Sequence, residues 1–113
     1  MEIHVNTDHN LDGRDRVVRH AAAEVAAGLS RFGEHITRVE VHLGDESAGR
    51  STAGDKRCML EARPAGHAPL AVTNHADTLE AALTGAIHKL HRLLESKFDQ
   101  LETRDGRRSI RGR

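Results

Sequence analysis

A chain of 113 residues supplies one domain and is too short for two ordinary cores. Apolar residues make up 37% and aromatics 2%, so the core must be aliphatic, and no apolar run approaches the ~20 residues of a membrane span. The 17 basic and 17 acidic residues cancel, which by itself predicts no nucleic-acid partner, and the single Cys58 excludes an internal disulfide.

The opening segment alternates, with Ile3 and Val5 on one face and Glu2, His4 and Asn6 on the other, the pattern of a half-buried strand. No apolar stretch of the signal-peptide kind occurs in Met1–Asn10, and with the lone thiol this places the chain in the cytoplasm. A helix follows. Asp12 is its expected cap, Val17, Val18, Ala21, Ala22, Val25, Ala26, Leu29 and Phe32 recur at helical spacing, and Gly33 is its expected stop.

From Thr37 the period returns to two, with Val39, Val41 and Leu43 inward and Arg38, Glu40 and His42 outward. Residues 44–55, GDESAGRSTAGD, are small, polar and Gly-rich, and read as a loop. A third strand alternates Cys58, Leu60 and Ala62 with Arg57, Met59, Glu61 and Arg63. Pro64-Ala65-Gly66-His67 makes a turn into a fourth strand marked by Leu70 and Val72, placed at an edge because Pro69 cannot donate to a ladder.

The last element is the clearest. Asp77 with Glu80 resembles a capping box, and Leu79, Leu83, Ala86, Ile87, Leu90, Leu94, Phe98 and Leu101 draw one apolar stripe down a long helix. Gly85 interrupts it, at a cost of about 1 kcal/mol relative to Ala, and marks a close approach to the sheet. Residues 102–113 carry Arg104, Arg107, Arg108, Arg111 and Arg113 against Glu102 and Asp105. They form a basic tail, expected to be disordered, on a mildly acidic body.

The order β-α-β-β-β-α predicts an α+β domain over residues 1–101. The first strand pair is parallel through a right-handed crossover, the later pairs are antiparallel, and both helices cover one sheet face. His4, Arg38, Glu40, His42, Arg57, Glu61 and Arg63 belong to the opposite face.

Nine His invite a metal reading. His88 and His91 share a helix face, but zinc wants three or four ligands and no Cys or carboxylate stands at motif spacing, so no metal is expected. Catalysis has no constellation to rest on. Cys58 sits at an inward strand position, and neither a nucleophile elbow nor a phosphate-binding glycine loop occurs. The chain is therefore read as no enzyme, with no cofactor and no small-molecule substrate.

Basic residues do gather: His88, Lys89, His91, Arg92 and Lys97 on the polar side of the last helix, and Arg14, Arg16 and Arg19 at the start of the first. Such stripes are ordinary solvated faces or a phosphate-contacting surface for folded RNA read by shape.

Residues 1–101 resemble the ribosome hibernation-promoting factor and ribosome-associated inhibitor family, also described as sigma-factor modulation proteins. The resemblance rests on element order, on HAPLAV at 67–72 and on HADTLEAALTGAIHKLHRLLESKFDQL at 75–101. Within the latter, Asp77, Leu79, Ala86-Ile87 and Lys89-Leu90-x-Arg92-x-Leu94 stand at the family's places. The resemblance implies a fold similar to double-stranded RNA-binding domains. It also implies docking through rRNA in the tRNA and mRNA channel of the small ribosomal subunit, silencing translation under stress.

The residues it carries over are Lys89, Arg92 and Lys97, joined by His88 and by Arg14, Arg16 and Arg19. The chain looks like a short form without the dimerisation domain of long members. The rival reading is a protein-interaction module of the same fold, favoured by the low positive charge.

Overall fold

The computed structural model describes residues 1–8, 13–46 and 55–111, with side chains through residue 99. The elements are β1 (Glu2–Thr7), α1 (Arg14–Gly28), a 3-10 turn (Ser30–Phe32), β2 (Ile36–Asp45), β3 (Lys56–Pro64), β4 (Leu70–Ala76) and α2 (Leu79–Arg111). They form a four-stranded sheet in the order β1-β2-β3-β4. β1 pairs with β2 in parallel, and the other two pairings are antiparallel. The α+β fold is the one expected.

Alternation put the strand faces where they are. Val39, Val41, Leu43, Cys58, Leu60 and Ala62 are buried on the helical side, with Ile3, Val5, Leu70 and Val72 packed against them from the edge strands. Ile36 is also buried, although its parity is opposite to that of Val39. A register shift between Ile36 and Arg38 reconciles the two, because one extra residue in a strand returns the next side chain to the same face. Thr37, the residue between, donates its hydroxyl to the Arg63 carbonyl at 2.9 Å.

Both helices lie on this face. α1 contributes Ala21 and Val25, Leu29 follows at its C-cap, and α2 contributes Ala82, Leu83, Ala86, Ile87, Leu90 and Leu94 to one continuous core. Burying a Val, Leu or Ile stabilises by about 1.5–3 kcal/mol, and chain entropy opposes nearly all of that sum. The two helices run parallel: His20 meets Glu80, Gly28 approaches Ile87, and Phe32 packs against His91. Phe32 also stacks on Phe98 with ring centroids 5.7 Å apart, so the two Phe residues meet where the turn after α1 crosses α2.

Four local expectations are corrected or fall elsewhere. α1 ends at Gly28, not Gly33, and the apolar spacing continues into the 3-10 turn, which buries Phe32. Gly is a poor helix residue, and a Cβ at position 28 would stand 2.5 Å from Ile87 Cγ2. The expected cap Asp12 lies outside the described residues, and Gly13 occupies the N-cap position with φ 65°. At α2 the capping side chain is Thr78, whose hydroxyl accepts from the Ala81 N–H at 3.0 Å, so Asp77 lies one residue too early to cap. Finally, α2 continues to Arg111 where a tail without structure was expected from residue 102. Extending an existing helix costs no new nucleus, and Arg and Glu are good helix formers.

Two glycines have the roles their places suggested. Gly66 has φ 76° in the turn closed by the His67 N–H on the Pro64 carbonyl. A Cβ at Gly85 would collide with the Asn74 amide, which itself donates to the Ala82 carbonyl at 3.2 Å. α2 therefore approaches β4 closely at that point, and the amide ties the first turns of the helix to the strand.

Candidate nucleic-acid interface

The sheet face away from the helices carries His4, Arg38, Glu40, His42, Arg57, Glu61 and Arg63, and it neutralises itself. Arg38 pairs with Glu40, Arg63 with Glu61 at 3.2 Å and Arg57 with Glu46 at 3.3 Å, while Lys56, whose parity puts it on the helical side, pairs with Asp45 at 3.0 Å. The His4 ring lies 3.0 Å from a Glu2 oxygen, and its hydrogen bond and charge hold that carboxyl below the usual range. For Glu40 burial pulls upward, yet the hydrogen bond and charge of Arg38 prevail and hold it low.

The helical layer differs. Arg14, Arg16 and Arg19 are exposed on the first turns of α1. The α2 residues His88 and Arg92 are exposed, pointing roughly 160° away from the fully buried Leu90. Among the described residues no ion pair holds any of these Arg side chains or Lys97. Every Lys and Arg of the described strands is paired with a carboxylate, so the uncommitted positive charge of the described residues sits on the helices.

The structure does not bring all the expected residues together. Parallel packing puts Arg14, Arg16 and Arg19 beside the start of α2. Arg92 lies twelve residues beyond Glu80, about 18 Å further along the axis. Two cationic regions result, separated by His20, Glu24 and Glu80, and flanked by the Arg31–Glu95 pair at 2.8 Å.

Two members of the expected set are placed differently. Lys97 is half-buried, within about 20° of Leu90 on the helix, and so lies on the core-facing stripe instead of the polar flank. Lys89 donates to the Thr73 carbonyl of β4 at 2.9 Å. Sequence spacing could not show this, because the acceptor is a main-chain atom on another element.

The His pair weighed for metal is also resolved. His91 packs edge-on against Phe32 and lies 3.7 Å from Glu95, while His88, one turn earlier on the same flank, stands exposed. Cys58 is fully buried and burial pushes its thiol up to about 12, so it is neutral and unreactive as a nucleophile. Among the described residues no helix is long and apolar enough to cross a membrane.

Fold and surface together define the class: a β-α-β-β-β-α domain that keeps its unpaired cations on the helical layer and its sheet face neutral. The chain belongs to the sigma 54 modulation protein / S30EA ribosomal protein family, whose model matches residues 4–102. That description is of a ribosome-associated class of protein and names no enzyme activity.

Among solved structures, the N-terminal domain of Thermus thermophilus Protein Y is similar over 85% of this chain and 98% of its own, with TM-score 0.63 and 23% identity. A ribosomal subunit interface protein from Coxiella burnetii is similar over 88% and 99%, with TM-score 0.65 and 14% identity. Both likenesses are of fold. No curated protein matches the sequence.

Proposed function

We propose that this protein binds the small ribosomal subunit in the channel used by tRNA and mRNA, and so silences translation in stressed or slowly growing cells. The observation that carries this reading is the placement of the unpaired cations. The strands cancel their charges pairwise, whereas Arg14, Arg16, Arg19 and Arg92 remain exposed and available to phosphate on the helical layer. Membership of a ribosomal protein family supplies the partner class.

The action is occupancy. A cationic surface at two places along the helices meets backbone phosphates of folded rRNA, which is recognised by shape more than by base sequence. While it is seated, tRNA and mRNA are excluded. No bond is made or broken, and the working place is the cytoplasm, where ribosomes are. The Arg-rich segment after residue 101 adds a smaller, nonspecific attraction by counterion release.

Co-sedimentation with 30S subunits at low and moderate salt tests this. Wild type pellets with 30S at low salt, and Arg92→Glu loses most of that binding. Arg63→Glu, on the sheet face, changes it little. If wild type stays in the supernatant at low salt, ribosome binding is lost as a reading, and a protein-interaction module of the same fold takes its place.

A further inference from the structure

We propose that His20, Glu24 and Glu80 form a surface site for a divalent transition-metal ion, zinc being the best match, that clasps α1 to the first turn of α2. His20 and Glu24 stand four residues apart on α1 and so share one face. Glu80 is brought to them by the parallel packing of the helices, from sixty residues away. His20 Nε2 lies 2.6 Å from a Glu80 oxygen and 3.7 Å from a Glu24 oxygen. One donor atom from each residue falls within 4.8 Å of the other two.

Tetrahedral zinc with bonds of about 2.0–2.2 Å places its ligand atoms about 3.4 Å apart, inside the spread already present. The three side chains are 48%, 47% and 59% exposed, so small rotamer changes bring them to a common ion without disturbing the core.

Charge favours the same conclusion. Two carboxylates converge on one imidazole, and among the described residues Glu24 and Glu80 make no ion pair except with His20. Arg16 lines the adjoining hollow with His20 and Glu80 but forms no ion pair with Glu80. The cluster therefore keeps a net negative charge whether His20 is neutral or protonated, and a divalent cation removes it. The imidazole selects the class of ion, because magnesium and calcium prefer all-oxygen shells, whereas nitrogen with carboxylate suits zinc. Three protein ligands leave room for water, so the ion is exchangeable, unlike that of a closed structural site.

His88 and His91, the pair that sequence spacing suggested, are not part of it: residue 88 is about 12 Å along α2 from Glu80.

Titration calorimetry and thermal melts of the full chain with zinc chloride in a non-coordinating buffer test the site. Wild type takes up zinc one to one and its Tm rises, since an ion that binds only the folded state stabilises it. His20→Ala and Glu80→Gln, both surface changes checked for folding by circular dichroism, weaken this event at least about tenfold, the lower end of the loss seen even for outer-shell partners. The double variant His88→Ala/His91→Ala retains it, and magnesium does not reproduce it. The site is refuted if wild type shows no one-to-one event, if the event survives His20→Ala, or if it vanishes in the His88/His91 variant.

Discussion

The Lys89 ammonium donates to the Thr73 main-chain carbonyl at 2.9 Å, so a cation of α2 covers part of the edge strand β4. Among the described residues β4 pairs only with β3, and carbonyls on such an edge are a template for unwanted strand pairing. Lys89→Met is expected to lower stability by about 0.5–1 kcal/mol in urea titrations, the range for a solvent-screened hydrogen bond. It also raises the tendency to aggregate. Because its charge is already engaged, the loss of 30S binding is smaller than for Arg92→Glu, and equal losses in the two variants would contradict this role.

Gly28 is where α1 crosses α2, with Ile87 Cγ2 occupying the space a Cβ needs. Gly28→Ala is expected to destabilise by about 1–3 kcal/mol, the usual cost of overpacking a core. The remedy is specific. Ile87→Leu moves the branch away from Cβ at constant volume, so the double variant recovers much of the loss. Additive losses in a double-mutant cycle would show that the two residues do not compete for that space.

Cys58 pairs in register with Leu43 on β2 and is fully buried. Iodoacetamide should leave it unmodified in the native protein and alkylate it at once in guanidinium. The pH dependence follows from the raised thiol, at about 12 against an ordinary 9.0. The unfolded chain ionises first, so this contribution to stability is complete below about pH 9 and is lost as pH climbs through about 12. Replacement by Ala flattens that part of the alkaline profile, whatever its cost in packing. An unchanged alkaline limb would show that the thiol is not the group responsible.

Binding to 30S should depend steeply on salt. If Arg14, Arg16, Arg19 and Arg92 each meet one phosphate, the slope of log K against log salt is about −3.6, or about 150-fold between 50 and 200 mM. Arg92→Glu makes the slope shallower by about one as well as weakening binding. A slope near zero in wild type would point to a contact made mainly by uncharged surface.

What the sequence determined by itself was the kind, order and facing of the elements. Val39, Val41 and Leu43 alternate because one strand face is buried, and Leu83, Ala86, Ile87, Leu90 and Leu94 step by three and four because one helix side is. That information is local, so it survives without knowledge of distant neighbours, and the quoted stretch 75–101 carried the family with it.

The tertiary structure decided which atoms meet. The Thr78 hydroxyl, not the Asp77 side chain, caps α2, Lys97 turns toward the core stripe, and Lys89 reaches Thr73 on the neighbouring strand. His20 and Glu80, sixty residues apart, touch only because α1 and α2 pack parallel and close at Gly28. How near two helices come depends on side-chain volume at their crossing, and one missing Cβ there brings His20 within reach of Glu80. Periodicity reports which side of a helix is buried and is silent about that distance.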